Sequence, residues 1–294
     1  MSNPSIARIS IIGTGLIGSS IGLALRAHGF SGYIAGWDQR AGEAGVAQQR
    51  GAIDAIAPNP VAAAQESDLV LLATPVFGIL DWMERLAPAL RSGQLVTDVG
   101  STKRRICERA AELFAAPQRA AFLAGHPMAG KEVYGAAEAD AELFRQAVWL
   151  FCPTEGERSE LERERMVEWR SWVERFGCRI VDTEPVRHDD LCAWASHLPQ
   201  MVGTALAALL EDTFGASERS RGELRDVGGR AMREMTRLGA SPFSMWRDVA
   251  HTNTAPIAAT LMALEQRLAY IRQNLTTAGL REEFERANRF RQNF

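Results

Sequence analysis

The sequence predicts an α/β fold in which a doubly wound sheet is followed by an all-α domain. Over the first part of the chain, short apolar or β-branched runs alternate with segments of helical periodicity, as expected for a sheet covered by helices on both faces. After Thr183 this alternation stops, and helical periodicity continues to the end of the sequence. We therefore expect two domains, over residues 1–183 and 184–294.

The composition excludes several classes of protein. Of the 294 residues, 46% are hydrophobic and 23% are charged, which is ordinary for a globular protein with a sizeable core. The net charge is −3 and no dense run of Lys or Arg occurs, so neither nucleic acid nor an anionic membrane is an expected partner. The apolar runs are too short for a transmembrane helix, and the N-terminus lacks a secretory signal pattern.

The cysteines indicate the redox environment. Cys107, Cys152, Cys178 and Cys192 are scattered along the chain without a C-x-x-C pair. This spacing favours reduced, buried thiols in a cytoplasmic protein over a disulfide framework or a zinc site. No metal is therefore expected.

A glycine motif lies between the first predicted strand and the first predicted helix. The apolar run over residues 9–12 is followed by Gly13, Gly15 and Gly18 in the spacing G-x-G-x-x-G, and helical spacing then continues to His28. In this context the motif indicates the dinucleotide-binding turn of a Rossmann domain. The first glycine allows the tight turn, the second lets the backbone approach a pyrophosphate, and the third lets the helix pack closely. The helix N-terminus offers N–H groups to the phosphates.

An acidic residue follows the second predicted strand. The run over residues 33–37 ends at Asp38, 20 residues after Gly18, where this motif places its ribose-binding carboxylate. A carboxylate repels a 2′-phosphate and favours NAD, whereas Arg40 keeps NADP as an alternative. The predicted cofactor-binding residues are Gly13, Gly15, Leu16, Ile17, Gly18, Asp38, Thr74 and Pro75.

Apolar runs, glycines and prolines place the other elements. We predict further strands over residues 69–73, 95–99, 121–124, 148–151 and 179–181. Helices are predicted over 41–50, 75–90 and 155–176, after Lys103, and then over 188–210, 222–238, 242–275 and 280–292. Pro199 and Pro256 should interrupt two of these helices. The apolar stretch 201–210 suggests burial against other helices, and we expect a homodimer through the helical domain.

Polar side chains follow three of the predicted strands. Thr74, Ser101 and His126 each come after a strand end, so we expect them to face one cleft at the carboxyl edge of the sheet. An imidazole can accept or share a hydroxyl proton while a hydride leaves; packing in a turn is the structural alternative for His126. Ser101 either hydrogen-bonds that histidine or the nicotinamide, or caps the next helix.

The helical part contributes further candidates. His197, in an apolar helix, alone favours a core role, and His188 and Asp189 can cap or orient. Arg237 ends a predicted helix, where a cation suits the helix dipole, but a guanidinium can also hold a substrate carboxylate in a bidentate pair. Trp246 either lines the same pocket or packs.

Together these segments resemble the prephenate/arogenate dehydrogenase family of tyrosine biosynthesis. The His-Pro-Met-Ala-Gly and Ser-His-Leu-Pro pieces are more specific than the glycine motif. The resemblance covers nearly the whole chain and implies a Rossmann domain joined to a helical dimerisation domain. The matching segments are 13–18, 98–103, 125–130, 188–189, 196–199 and 236–248.

The resemblance also implies a reaction and a set of site residues. Hydride passes from the hydroxyl-bearing ring carbon to NAD, the ring carboxylate leaves as CO₂, and the ring becomes aromatic. His126 is then the residue that polarises the substrate hydroxyl, with Ser101 in support, and His197, Arg237 and Trp246 contact the substrate. Both prephenate and arogenate stay open as substrates, as does the carboxylate that Arg237 holds. No regulatory segment is visible, so we expect any inhibition by tyrosine to occur by competition at the active site.

Two other functions are considered. A Rossmann β-hydroxyacid or 3-hydroxyacyl-CoA dehydrogenase needs a catalytic lysine or a His–Glu pair, and Lys103 and Lys131 are the only lysines of the sequence. A non-catalytic NAD sensor would not need His126, Ser101, His197 and Arg237 together. We therefore favour oxidative decarboxylation of prephenate to 4-hydroxyphenylpyruvate.

Overall fold

The computed structural model describes residues 5–153 and 158–293. Eight strands of the described chain form one sheet in the order β3-β2-β1-β4-β5-β6-β7-β8. The first six strands are parallel, β7 is antiparallel to β6, and β8 is parallel to β7. Their bounds are β1 Arg8–Ile12, β2 Tyr33–Trp37, β3 Ala55–Ile56, β4 Leu69–Leu72, β5 Leu95–Asp98, β6 Ala121–Pro127, β7 Val148–Cys152 and β8 Arg179–Asp182.

Helices cover the sheet and predominate after β8. Those within the sheet region are α1 Leu16–Ala27, α2 Ala41–Gln49, α3 Pro60–Gln65, α4 Val76–Leu86, α5 Arg104–Leu113 and α6 Glu160–Arg175. Those after β8 are α7 Pro185–Cys192, α8 Leu198–Phe214, α9 Glu218–Val227, α10 Arg230–Thr236, α11 Phe243–Thr252, α12 Thr254–Gln273 and α13 Ala278–Asn293. Residues 155–157 of the predicted helix 155–176 lie outside the described residues. No described helix is long and apolar enough to cross a membrane. The predicted class, a doubly wound sheet followed by helices, is confirmed.

The sheet separates two hydrophobic cores. Side chains of a strand alternate between its faces: on β4, Leu69 and Leu71 belong to one core and Val70 and Leu72 to the other. Helices α1 and α6 cover the first face, and α4 and α5 cover the second. Because all four side chains are buried, the strand is apolar throughout, which is why its position could be predicted.

One strand is longer than predicted. The sequence placed His126 after a strand over residues 121–124, and this was wrong, because β6 continues to Pro127. Its parallel pairing with β5 ends at Leu123, but the next four residues pair with antiparallel β7, and His126 lies opposite Leu150. His126 therefore lies on a strand extension beyond the parallel part of the sheet. The short elements β3 and α3 were also not predicted.

Three predicted helices of the second half are each divided. A π-helical turn over Ala193–His197 precedes Pro199, in agreement with the interruption predicted there. The helix predicted over 222–238 breaks at Gly228 and Gly229, since glycine is a poor helix former. The third breaks at Asn253, because Pro256 lacks the N–H that would bond to the carbonyl three to four residues earlier.

Candidate active site

The glycine turn between β1 and α1 has two structural glycines and one that leaves space. Gly13 has φ of +100°, and a methyl group on it would lie 2.5 Å from the Ala73 carbonyl oxygen. A methyl group on Gly18 would lie 2.0 Å from the Gly13 carbonyl oxygen. On Gly15 it would meet no protein atom within 4 Å. The fold therefore requires Gly13 and Gly18, whereas Gly15 keeps the backbone open towards a ligand.

The acidic residue after β2 is joined to this turn. Asp38 accepts a hydrogen bond of 2.9 Å from the Thr14 backbone N–H through Oδ2, and one of 2.9 Å from the Arg40 backbone N–H through Oδ1. The Arg40 guanidinium lies 3.3 Å from the Glu43 carboxylate. A carboxylate is thus held beside the glycine turn, and the nearby cation is already engaged.

The residues around the turn fit a dinucleotide. The N-terminal turn of α1 begins at Leu16, directly after Gly15, and offers N–H groups to phosphates. The hydroxyl oxygens of Thr14 and Thr74 are buried and have no hydrogen-bond partner among the described residues. Buried polar atoms are normally satisfied, so these two hydroxyls suit a bound polar ligand. Pro75 follows at the start of α4.

A chain of hydrogen bonds fixes the tautomer of His126. His126 Nδ1 lies 2.9 Å from His188 Nε2, and His188 Nδ1 lies 2.8 Å from Asp189 Oδ1. An ionised carboxylate only accepts hydrogen bonds, so His188 donates through Nδ1 and accepts through Nε2. His126 must then donate through Nδ1, and its Nε2 retains a lone pair. The arrangement makes His126 Nε2 a proton acceptor.

The surroundings of these hydrogen bonds keep the rings of His126 and His188 neutral. Burial lowers the pKa of His126 well below its usual value, and the neighbouring His188 and the ammonium of Lys103 act in the same direction. Burial also lowers the pKa of His188, although the hydrogen bond to Asp189 opposes this shift. A neutral imidazole can accept a proton from a hydroxyl at neutral pH.

A buried ion pair connects the loop after β5 to the strand that carries His126. Lys103 and Asp98 are both fully buried and form a salt bridge. Asp98 also accepts hydrogen bonds from the backbone N–H groups of Gly100, at 2.8 Å, and Gly125, at 3.1 Å. The loop that contains Ser101 is therefore fixed against the residue preceding His126.

Ser101 itself is half-buried in this loop. Helix α5 begins at Arg104 with Lys103 at its N-cap, so the interpretation of Ser101 as the helix cap was wrong. The N-terminal N–H groups of α5 instead donate to the carboxylate of Asp189. Within the part of the chain that the structure describes, the Ser101 hydroxyl has no hydrogen bond, and His126 pairs with His188.

His197 and Trp246 form a second part of the site. Asn253 Nδ2 donates to the Asp189 carbonyl at 2.8 Å and lies 3.1 Å from His197 Nδ1. His197 therefore accepts at Nδ1 and carries its proton at Nε2. Burial lowers the pKa of His197 to about 4, which keeps it neutral. Trp246 lies edge-on to it, with ring centroids 5.9 Å apart.

Two N–H donors in this part of the site lack hydrogen-bond partners. His197 Nε2 and Trp246 Nε1 are buried without a hydrogen-bond partner among the described residues. A buried donor without a partner costs about 1–3 kcal/mol. The pair therefore suits a ligand that offers acceptor oxygens.

Arg237 is connected to the segment that follows His126. It lies in a 3₁₀ turn after α10 and forms a salt bridge with Glu132. Its side chain is 58% exposed. Glu132, six residues after His126, was not identified in the sequence analysis, and neither were the contacts of His188 and Asp189. The signal in the sequence was a histidine directly followed by an acid, His188 and Asp189. Their hydrogen-bond partners, His126 and Lys103, lie 62 and 86 residues away along the chain.

Comparison with known proteins identifies the family. The model of the nucleotide-binding domain of prephenate dehydrogenase matches residues 21–181, and the model of its dimerization domain matches residues 184–289. The chain belongs to the prephenate dehydrogenase family. The resemblance inferred from the motifs is thereby confirmed. The first match begins after Gly18, so the assignment of the glycine turn depends on its own geometry.

Similarity to individual proteins supports the same family assignment. The chain is 31% identical to prephenate dehydrogenase of Bacillus subtilis over 242 residues, which cover 82% of this chain and 62% of that protein. It thus spans less than two thirds of that relative. The structure of prephenate dehydrogenase from A. aeolicus, in complex with hydroxyphenyl propionate and NAD⁺, is 25% identical with a TM-score of 0.80, covering 100% of this chain and 96% of that one. The arogenate dehydrogenase of Synechocystis is 27% identical with a TM-score of 0.74, covering 97% and 99%.

Proposed function

We propose that this chain catalyses the NAD-dependent oxidative decarboxylation of prephenate to 4-hydroxyphenylpyruvate. The observation that carries the proposal is that His188 and Asp189 leave a lone pair on His126 Nε2. His126 lies on the same sheet as the strand that precedes the glycine turn. The A. aeolicus relative, solved with NAD⁺ and a hydroxyphenyl ligand, supports both the cofactor and an aromatic product.

His126 acts on the ring hydroxyl of the substrate. Its Nε2 accepts the hydroxyl hydrogen bond and draws the proton as the hydride leaves the same carbon. NAD, when bound, accepts that hydride. The ring carboxylate departs as CO₂, its electron pair completes the aromatic ring, and the proton returns to the phenolic oxygen. Aromatisation provides much of the driving force, so the protein mainly positions the reactants.

The other site residues hold the two substrate carboxylates and the cofactor. His197 and Trp246 donate their free N–H groups to acceptor oxygens, and Arg237 supplies a guanidinium to a carboxylate. Ser101, whose hydroxyl makes no hydrogen bond to the described residues, is free to hydrogen-bond the nicotinamide, the other partner that the sequence left open for it. NAD is bound by Gly13, Gly15, Leu16, Ile17, Gly18, Asp38, Thr74 and Pro75. Asp38 selects NAD over NADP, and the engagement of Arg40 by Glu43 strengthens that preference.

Arogenate is the alternative substrate. It carries an ammonium group in place of the side-chain keto group of prephenate. Glu132 beside Arg237 is a carboxylate that an ammonium group could contact, and a relative from Synechocystis is an arogenate dehydrogenase.

The helical region is proposed to form a homodimer. Its match to a dimerization domain supports this, as do apolar side chains on α8, α12 and α13 that are each more than half exposed: Leu209, Met262, Leu268 and Phe284. The proposed domains are residues 1–183 and 184–294. The four cysteines are buried and free, which supports a cytoplasmic location.

One assay tests this function. Reduced cofactor is followed by absorbance, with prephenate and arogenate each offered with NAD and with NADP. We expect turnover with prephenate and NAD, and its loss in His126→Asn. A folded protein that binds NAD but turns over none of the four combinations would refute the proposal.

A further inference from the structure

The described residues bring together three side chains with the donor atoms of a transition-metal site. His126 Nδ1, His188 Nε2 and Cys192 Sγ all lie within 4.8 Å of one another, and all three residues are buried. His126 comes from β6, whereas His188 and Cys192 are four residues apart on α7 and so share one helix face. The scattered cysteines of the sequence concealed this cluster, because one ligand comes from a distant strand.

The separations match tetrahedral coordination. Zn–N bonds of about 2.0–2.1 Å and Zn–S bonds of about 2.3 Å require N···N and N···S separations of roughly 3.3 and 3.6 Å. The two histidine nitrogens are 2.9 Å apart, and Sγ lies 3.7 Å from His188 and 4.0 Å from His126. Each separation is within about 0.5 Å of its required value. Binding requires the two imidazole nitrogens, which share a hydrogen bond in the metal-free protein, to turn towards a common centre. Three protein ligands leave a fourth position open.

The surroundings also suit a metal ion. Asp189 accepts the Nδ1–H hydrogen bond of His188, and a carboxylate in this position orients a metal-binding histidine and raises its basicity. The nearby ammonium of Lys103 is paired with Asp98, which reduces its repulsion of a bound cation. Burial raises the pKa of Cys192 to about 12, so the free thiol is protonated and metal binding releases that proton to solvent.

We propose that His126, His188 and Cys192 bind a zinc-like divalent cation, and that this binding inhibits the dehydrogenase. The inhibition rests on the proposed function. A metal on His126 Nδ1 displaces the proton from that nitrogen, and the ring then carries its proton at Nε2. That nitrogen becomes a donor and can no longer accept from the substrate hydroxyl. Inhibition thus follows from the change of tautomer, because the hydrogen bond that His126 would accept from the substrate hydroxyl is lost.

Cobalt binding tests the site directly. The full chain, freed of metal with chelator, is titrated with Co²⁺, and the thiolate-to-cobalt absorption band is recorded. Cys178→Ser is the matched control, because Cys178 is also a buried thiol but donates to the Phe144 carbonyl. We expect one Co²⁺ with a thiolate band in wild type and in Cys178→Ser. Cys192→Ser and Cys192→Ala should lose the band and bind Co²⁺ at least about tenfold more weakly.

Measurements of thermal unfolding and of enzyme activity distinguish a failure of the metal site from a failure of its inhibitory role. Zn²⁺ should raise the unfolding temperature of wild type and Cys178→Ser but not of the Cys192 variants. A thiolate band that persists in both Cys192 variants, or its absence from wild type, overturns the site.

In the enzyme assay each rate is divided by the same variant's metal-free rate, and Cys192→Ser should need at least about tenfold more Zn²⁺ for half inhibition. Binding without inhibition overturns the inhibitory role. Inactivity without metal overturns the proposed function, while the cobalt band still decides the site.

Discussion

The backbone N–H of Lys103 donates a hydrogen bond of 2.7 Å to the side chain of Asp189, which lies 86 residues further along the chain. The neighbouring N–H of Arg104 donates to the other carboxylate oxygen at 3.0 Å. Asp189 therefore caps α5 from α7, where a negative charge is stabilised by the helix dipole. Because the same carboxylate accepts from His188, the connection between the two halves of the chain also sets the tautomer of His126.

Asp189→Asn should therefore impair catalysis more than binding. The amide can donate to His188, which reverses the donor order and leaves the proton of His126 at the wrong nitrogen. We expect kcat to fall at least about 100-fold while the KM for NAD stays within about twofold. Steady-state kinetics across pH provide the measurement, since a loss of stability alone would leave the pH profile of kcat unchanged. The neighbouring Asp190→Asn is the matched control, and equal losses in both variants would count against the role of Asp189.

The fold could be predicted from the sequence wherever a local pattern determines structure. Runs buried on both faces identified most strands, and the glycine spacing identified the turn after β1. The two-residue strand β3 carries too little pattern to be recognised. His126 was placed outside its strand because the extension of β6 depends on pairing with β7, and 20 residues separate the two strands.

The candidate site could be predicted by residue type but not by contact. His126, Ser101, His197 and Trp246 were named from the sequence, and their roles stay predictions. The hydrogen bond between His126 and His188 and the salt bridge between Arg237 and Glu132 join distant segments. Only the folded chain brings these partners together, so no local pattern in the sequence could indicate them.

Alanine at two glycines of the turn, Gly15 and Gly18, should separate folding from cofactor binding. At Gly18 a methyl group would overlap the Gly13 carbonyl, whereas at Gly15 it would meet no protein atom. Gly15→Ala should keep the unfolding temperature of wild type but weaken NAD binding at least about tenfold, because the methyl group occupies the space of the ligand. Gly18→Ala should unfold at a clearly lower temperature. Calorimetry of unfolding and of NAD binding would check both, and unchanged NAD affinity in Gly15→Ala would argue against this turn as the cofactor site.

Cofactor choice should depend on the charge at Asp38. In Asp38→Asn the side-chain oxygen can still accept from Thr14, but the negative charge that repels a 2′-phosphate is removed. We expect the ratio of kcat/KM for NADP to that for NAD to rise at least about tenfold. Arg40→Gln should leave the ratio nearly unchanged, since that guanidinium is paired with Glu43. A wild-type enzyme that already prefers NADP would contradict the role of Asp38.

Arg237→Gln should weaken substrate binding. A charge-assisted pair with a carboxylate contributes about 1.5–3 kcal/mol, which corresponds to roughly a 10- to 100-fold rise in KM. Because the contact is made in both the ground and the transition state, kcat should change much less. The exposed Arg233 on α10 provides the control, as Arg233→Gln. A loss confined to kcat would assign Arg237 to the chemical step.

The buried histidines should make folding sensitive to acid. The pKa of His197 is about 4 in the folded chain against about 6.5 when unfolded, so the unfolded state binds the proton more tightly. The contribution of His197 to the free energy of unfolding is therefore fully present above pH 6.5. It is lost as the pH drops towards 4, by about 3 kcal/mol. His126 and His188 shift in the same direction. Urea unfolding of wild type and His197→Gln at pH 7.5 and 5 measures the effect. The variant should lose about 2 kcal/mol less between these two pH values. Identical pH dependence in wild type and variant would show that His197 is not held neutral by burial.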